Sequence, residues 1–365
     1  MSRHIFPVSG SLFVEKAISL TPDAMRFLPL ALLSTVASVA SVRRVLVTGA
    51  NKGIGLQIVK KIVQTVPDAH LLLGSRDKAR GEKAVQDVIA LDPTAAGRVE
   101  LLELDVTSDD SVAAAAAAVR AKYPDDAHPL FGLCNNAGVG VTQAGASALS
   151  TRTTPRHSPH AASLTLDRPC PTHLTGPASE RVCGQFGKSI PETLETNFYG
   201  TKRCCEAFVP LLSPAGRICN VASASGPNFV RGLDEAGKQL FTSRLTTWAE
   251  LEAELNRYAA GTDYEGVAYG LSKAAVNQWT MQLAAAHPEL KVNSCSPGYI
   301  LTDLTKGMGA TKRPEESNCH VAPLFLLFGD VPLPPTNQGR YYGSDAVRSP
   351  IDVYRGPGDP PYEGD

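Results

Sequence analysis

Short apolar runs alternate with longer amphipathic segments along the chain from Arg43 onward. The runs cover residues 45–47, 71–73, 99–104 and 130–134. The segments between them begin at Gly53, at Lys78 and near residue 112, and the first has apolar residues at close to helical spacing. Strand and helix in strict alternation predict a mostly parallel sheet with helices on both faces.

The pattern resumes in the second half of the chain. It predicts helices over 188–212, from Thr247 to about Tyr258 and over 269–285, and strands over 217–221 and 291–295. Thr247 and Glu250 have capping-box spacing at the start of the middle helix. Residues 140–187 are rich in Ser, Thr, Pro, His and Ala, which indicates a low-complexity loop insertion.

Both ends of the chain differ from this pattern. Residues 27–42 form an apolar, serine-rich run that is too short for a comfortable membrane span. Residues 25–42 are similar to a secretory signal, but the first strand follows too closely to leave a spacer after cleavage. We interpret 1–42 as a dispensable extension or a targeting segment, 43–353 as one domain, and 354–365 as a flexible Pro/Gly-rich tail.

Composition excludes some partners. Among 365 residues the formal net charge is −1, which gives no electrostatic reason to expect a nucleic acid or an anionic membrane. The eight cysteines are scattered, several within apolar runs, as free thiols of a reducing compartment would be. We expect a cytoplasmic protein, with an organelle or the secretory route as the alternative if 25–42 acts as a signal.

A glycine-rich turn follows the first strand. It contains Gly49, Asn51, Lys52, Gly53, Ile54 and Gly55, and it opens the first helix. Small residues allow a close backbone approach to a pyrophosphate, and a helix N-terminus supplies free N–H groups and a positive dipole. The position within a strand–helix–strand unit predicts a dinucleotide site rather than a mere tight connection.

The end of the second strand indicates which dinucleotide binds. NAD sites place an acidic residue there to accept the ribose hydroxyls, and this chain has Gly74, Ser75 and Arg76 instead. Arg76 suits a 2′-phosphate, and Lys52 and Arg80 would add charge to the same pocket. We therefore predict NADPH/NADP+ as the cofactor, with three solvated surface cations as the alternative interpretation.

Tyr269 and Lys273 lie four residues apart on one predicted helix face. A free phenol has a pKa of about 10, too high for efficient proton exchange at neutral pH. We expect the neighbouring ammonium to favour phenolate and to lower that pKa.

Together these motifs resemble the short-chain dehydrogenase/reductase family. The Thr-Gly-x-x-x-Gly-Ile-Gly turn, Asn135-Asn136-Ala137-Gly138, Asn220-Val221-Ala222-Ser223, Tyr269-x-x-x-Lys273 and Ser296-Pro297-Gly298 appear in the family's order. The 46 positions from Ser223 to Tyr269 are similar to the carbonyl reductase branch in particular. The resemblance covers residues 43–139 and 188–345, and it implies a single Rossmann-like, doubly wound domain with a seven-stranded, mostly parallel sheet.

The resemblance also implies residue roles. Ser223 would bind the carbonyl oxygen, Tyr269 would transfer the proton, and Lys273 would contact the cofactor ribose. Asn197 would hold a proton-relay water. The cofactor would be bordered by Asp105 and Val106 at the adenine, by Asn136, Ala137 and Gly138 along the cleft, and by Pro297, Gly298 and Thr302 at the nicotinamide.

The combined prediction is an NADPH-dependent reductase of an aldehyde, ketone or quinone. Two alternatives stay open, an enzyme oxidising a steroid- or terpenoid-like alcohol and a non-catalytic NADPH-binding sensor. No metal is expected, because the zinc-like spacings His157-x-x-His160 and Cys170-x-x-His173 lie in the low-complexity insertion without apolar anchors. A monomer is expected, because the extra helix beginning near Thr247 has an apolar stripe that would cover the family's usual dimer face.

Overall fold

The structure, a computed structural model, describes residues 42–140, 189–261, 267–306, 308–331 and 339–364. Residues 1–41 and 141–188 lie outside the described residues, and with them most of the predicted extension, the insertion and both zinc-like motifs.

One sheet runs through the described part of the chain. Its strands are β1 (Arg43–Val47), β2 (Ala69–Ser75), β3 (Val99–Glu103), β4 (Leu130–Asn135), β5 (Leu212–Val221), β6 (Lys291–Cys295), β7 (Tyr341–Tyr342) and β8 (Arg348–Ser349). The spatial order is β3-β2-β1-β4-β5-β6-β7-β8, and every neighbouring pair is parallel except β7 and β8. The doubly wound, mostly parallel prediction is confirmed. The count of seven was wrong by one, because a two-residue antiparallel strand adds to the edge.

Alternation along the strands distributes side chains to the two faces of the sheet. Val45 and Val47 point into one apolar cluster and Leu46 into the other, and all three are fully buried. Burial on both faces explains why the strand is a continuous apolar run and not an alternating one.

Nine α-helices flank the sheet in the described residues. They are α1 (Gly53–Thr65), α2 (Lys78–Leu91), α3 (Asp109–Lys122), α4, α5 (Ser225–Arg231), α6 (Glu235–Thr242), α7 (Trp248–Ala260), α8 (Ala268–Ala286) and α9 (Val321–Phe328). Helix α4 starts over Ile190–Leu194, passes through a π-helical turn at Glu195–Tyr199 and ends over Gly200–Phe208. The capping box predicted at Thr247 and Glu250 is confirmed at the start of α7.

Helix α8 is mostly buried. Ser272, Lys273, Asn277, Gln278 and Thr280 are buried in it together with its apolar residues. Polar side chains at such positions need partners, and Lys273 and Ser272 find theirs at the candidate active site. Among the described residues no helix combines the length and the apolar character needed to cross a bilayer.

Candidate active site

The predicted residues gather at the carboxyl edge of the sheet. Gly49 follows β1, Arg76 follows β2, Asp105 and Val106 follow β3, Asn136, Ala137 and Gly138 follow β4, Ser223 follows β5, and Pro297 and Gly298 follow β6. Parallel strands end on one side, and the strand order reverses between β1 and β4. In such sheets this reversal opens a crevice that binds ligands.

The turn after β1 needs its glycines. Gly49 has φ +62°, and a Cβ there would lie 2.8 Å from the Cα of Ala137. A Cβ at Gly55 would clash with the Asn136 amide nitrogen. Asn51 and Ile54, between these glycines, are half-buried in the same turn.

Thr48 joins this turn to the loop after β4. Its Oγ1 accepts hydrogen bonds of 3.0 Å from the backbone N–H groups of Asn136 and Ala137. The Asn136 amide in return donates to the carbonyls of Thr48 and Gly49 at 3.0 and 3.2 Å. Thr48 was not among the predicted site residues, although it opens the glycine motif, so the sequence did hold a signal for it.

The N-terminus of α1 fits a dinucleotide phosphate. Lys52, the residue before the helix, makes no side-chain cap, and the first turn contains no acidic residue. The backbone N–H groups in the first turn of α1 are therefore open to an anion, and the glycines leave room for one. The Lys52 side chain itself pairs with Asp303, with 2.5 Å between Nζ and Oδ2.

The three predicted phosphate-reading cations differ in their surroundings. Arg80 donates to Asp77 at 2.7 Å, and Asp77 caps α2. Lys52 is held by Asp303. Arg76 is exposed, and its guanidinium makes no hydrogen bond or ion pair within the described residues. The sequence had no signal for Asp303, which lies 251 positions from its partner.

Tyr269, Ser223 and Lys273 come together. Tyr269 lies in the first turn of α8, and the Ser223 hydroxyl is near enough to its phenol to lower the phenol pKa. Lys273, one turn on, is 4% exposed and places Nζ 5.6 Å from the centroid of the Tyr269 ring. Its ammonium donates to the Val221 carbonyl at 2.8 Å. Ser225, which sequence reasoning missed, donates its backbone N–H to Ser223 Oγ at 3.2 Å.

Burial shifts the pKa of both Tyr269 and Lys273. It raises the pKa of Tyr269 to about 12, an effect that the Ser223 hydroxyl only partly offsets. It lowers the pKa of Lys273 to about 8. The expectation that the ammonium lowers the phenol pKa was wrong, because burial raises that pKa and the opposing interaction comes from Ser223 and not from Lys273.

Asn197 lies in the π-helical turn of α4 and is fully buried. Its Oδ1 accepts from the Val139 N–H at 2.8 Å, and its Nδ2 donates to the Val139 carbonyl and to Ser272 Oγ, both at 3.1 Å. The side chain thus fastens α4 to the loop after β4 and to α8. A Cβ on Gly138 in that loop would lie 3.3 Å from Asn197 Oδ1 and 3.8 Å from Lys273 Nζ.

The remaining predicted residues border the same crevice. Asp105 Oδ1 accepts from the Thr107 N–H at 3.0 Å, and Val106 is buried beside it. Pro297 is buried as well. Gly298 has φ +92°, and Thr302 approaches the glycine-rich turn, since a Cβ on Gly53 would lie 3.7 Å from its methyl group.

Comparisons with known proteins agree with this geometry. A sequence model of the short chain dehydrogenase family matches residues 43–155. The (-)-isopiperitenone reductase of Mentha piperita is 30% identical over 278 residues, which cover 72% of this chain and 86% of that protein. Carbonyl reductase [NADPH] 1 of Pongo abelii is 29% identical, with 80% and 92% covered.

A solved structure shares the fold. The menthone neomenthol reductase of Mentha piperita superposes with a TM-score of 0.59 at 27% identity, covering 84% of this chain and 99% of its own. Given the motifs, the geometry and these matches, the chain belongs to the short-chain dehydrogenase/reductase family of nicotinamide-dependent oxidoreductases.

Proposed function

We propose that this protein is an NADPH-dependent reductase of an aldehyde, ketone or quinone, with Tyr269 as the proton donor. The observation that carries the proposal is the grouping of the Ser223 hydroxyl, the Tyr269 phenol and the buried Lys273 ammonium at the carboxyl edge of the sheet. Hydride arrival at a carbonyl carbon builds negative charge on the oxygen, and two converging hydroxyl groups stabilise that charge.

The protonated phenol is the form of Tyr269 that carbonyl reduction needs, whereas alcohol oxidation would need the phenolate. A pKa of about 12 leaves the phenol protonated at neutral pH. An alkoxide is a stronger base than a phenolate, so Tyr269 can give its proton to the reduced oxygen. Ser223, oriented by the Ser225 N–H, would hold the same oxygen.

The crevice offers a place for each part of the cofactor. The open N–H groups of α1 would bind the pyrophosphate, Asp105 and Val106 would border the adenine, and Lys273 would contact the ribose. The nicotinamide would lie along Pro297, Gly298 and Thr302, near Asn136, Ala137 and Gly138. NADPH supplies the hydride when bound.

Charge at the end of β2 supports NADPH over NADH. No carboxylate follows β2 directly, and the nearest one, Asp77, is occupied by Arg80 and by capping α2. Arg76 is exposed there and free to form charge-assisted bonds with a 2′-phosphate. The similarity to a carbonyl reductase named for NADPH points the same way.

One alternative keeps the same residues and reverses the reaction. The similarity to a menthone neomenthol reductase, whose name joins a ketone and an alcohol, favours a terpenoid-like substrate and leaves alcohol oxidation open. The sensor alternative has less support, because a binding protein has no need for a phenol, a hydroxyl and a buried ammonium grouped together.

Initial rates of the full chain with a panel of aldehydes, ketones, quinones and terpenoid alcohols test the proposal. We expect reduction with NADPH at a higher kcat/KM than with NADH. In Arg76→Asp the NADPH/NADH ratio of kcat/KM should fall by about 10- to 100-fold, because charge-assisted hydrogen bonds to the phosphate are lost. Turnover of alcohols alone would favour the oxidative alternative, and NADPH binding without any turnover would favour the sensor.

A further inference from the structure

The ion pair between Lys52 and Asp303 joins two segments that both border the cofactor crevice. Lys52 ends the glycine-rich turn, and Asp303 lies in the segment after β6. The neighbouring residues also meet, since Thr302 places its methyl group toward Gly53. The pair therefore lies at the start of α1, where we propose that the cofactor pyrophosphate binds.

Asp303 is held by a folded turn. The Thr302 N–H donates to Thr305 Oγ1 at 2.9 Å, the Thr305 N–H donates to the Thr302 carbonyl at 3.1 Å, and Leu301 bonds to the Lys312 carbonyl at 2.8 Å. The carboxylate is thereby presented to Lys52, whose ammonium lowers the pKa of Asp303. It stays ionised, and able to compete for a cation, throughout the neutral pH range.

Lys52 thus has two possible partners. One is the Asp303 carboxylate, and the other is the 2′-phosphate of the cofactor proposed above, which carries about −1.5 to −2 charges at neutral pH. Both side chains of the pair are largely exposed, at 59% and 77%. A pair this accessible to water is weak enough to exchange partners.

We propose that Asp303 is a specificity-determining residue that reduces the preference for NADPH over NADH by competing with the 2′-phosphate for Lys52. The inference rests on the proposed use of NADPH. Asp303 acts through Lys52 and does not touch the reacting atoms. A cofactor without the 2′-phosphate does not enter this competition, so only NADPH binding should respond to the loss of Asp303.

Binding titrations of the full chain with NADPH and with NADH at low ionic strength test this. Asp303→Asn should tighten NADPH about 2- to 5-fold, the range expected when an exposed ion pair is removed, and leave NADH unchanged. Glu315→Gln is the matched control. Glu315 lines the same 370 Å³ cavity as Asp303 but does not pair with Lys52, and its loss should change neither affinity.

Lys52→Ala provides the decisive background. There Asp303→Asn should no longer tighten NADPH, because the cation under competition is gone. An equal gain in that background would show direct repulsion of the phosphate and overturn the proposal, as would tightening of both cofactors alike. If the wild type binds no NADPH, the proposed function falls with it, whereas NADPH binding with an unchanged NADPH/NADH ratio in Asp303→Asn overturns only the role of Asp303. Equal melting temperatures of the variants would show that folding is intact.

Discussion

Tyr269 and Lys273 show how one cause acts on two kinds of titrating group. Burial disfavours charge, so it keeps the phenol protonated and weakens the hold of the amine on its proton. Both shifts move the pair toward neutral forms. The Val221 carbonyl then accepts a hydrogen bond from the Lys273 ammonium where solvent is lost.

Tyr269→Phe should abolish turnover while NADPH still binds. The substitution removes the oxygen that passes the proton and leaves the ring, whose packing in the first turn of α8 is unchanged. Steady-state rates and NADPH titration of the same preparation measure the two effects. Turnover within tenfold of the wild type would contradict the assignment of Tyr269 as the proton donor.

Lys273→Met should abolish activity yet stabilise the fold at pH 7. The pKa of Lys273 is about 8 in the folded protein against its ordinary 10.5, so holding the ammonium in place costs at most about 3 kcal/mol. The methionine also lacks the hydrogen bond to the Val221 carbonyl, which is worth roughly 1 kcal/mol. The expected net gain in the free energy of unfolding is therefore about 2 kcal/mol.

The pH dependence of this gain follows from the same shift. Below pH 8 lysine is charged in both states, and the full cost is present. Between pH 8 and 10.5 the unfolded chain binds more protons than the folded one, so the wild type gains stability as the pH rises and the difference narrows. Urea unfolding of both proteins across this window measures it. A wild type that is the more stable of the two at pH 7 would contradict the expected cost of burial.

Motifs of residues adjacent in the chain were recognisable, whereas contacts between distant segments outside those motifs were not. Gly49, Gly53 and Gly55 were recognised from the sequence, because glycines at this spacing between a strand and a helix form a known motif. The pairing of Lys52 with Asp303 depends on how the segment after β6 folds back, for which local sequence gives no rule. The raised pKa of Tyr269 was missed because burial is a property of the assembled site.

At the scale of elements, long helices and apolar strands were predicted well, whereas the shortest helices and the two-residue strands were not. Helix α2 begins at Lys78 as predicted, and α8 differs from its prediction by one residue at each end. Helices α5 and α6 span seven and eight residues and contain glycine, so their period is too brief to detect. Strands β7 and β8 have two residues each and are defined only by their neighbours.

The geometry of the turn between β1 and α1 leads to a prediction about cofactor binding. Gly49→Ala should weaken cofactor binding by at least tenfold, because φ is +62° and the new Cβ would lie 2.8 Å from the Ala137 Cα. That clash separates the turn from the loop after β4. NADPH titration measures the loss.

Gly97→Ala is the matched control. Gly97 also has a positive φ, +78°, but a Cβ there would meet nothing within 4 Å. It should lower the melting temperature through backbone strain alone and leave NADPH binding intact. Equal loss of binding in both variants would show that strain acts globally and that contact with Ala137 is not the cause.

At the scale of the whole molecule, α7 covers a surface that α4 and α8 would otherwise expose. Its apolar stripe, Leu251, Leu255 and Tyr258, is at most 2% exposed and belongs to the same cluster as residues of α4, α6 and α8. The Tyr258 ring meets Phe229 of α5 edge-on, with ring centroids 5.7 Å apart. The predicted stripe therefore packs onto its own chain.

Trp248, at the start of α7, contacts aromatic residues of both α4 and α8. Its ring stacks on Phe198 of α4 at 6.1 Å and meets Trp279 of α8 at 5.9 Å. Lys202 of α4 places its ammonium 4.7 Å from the Trp248 ring centroid. Aromatic side chains that could anchor a partner subunit are thus used within the chain.

These contacts lead to the prediction that the protein is a monomer. Within the described residues, the large exposed hydrophobic side chains, among them Leu245 and Tyr299, lie outside α4 and α8. A stable homodimer buries about 800 Å² per partner around an apolar centre, and α7 already occupies part of the α4 and α8 surface that such a centre would use. Light scattering at micromolar concentration should therefore give the mass of one chain, 38.6 kDa. Trp248→Ala and Leu251→Asp should increase association by uncovering α4 and α8, whereas a wild-type mass of two chains would mean that another face forms the dimer and that α7 does not prevent it.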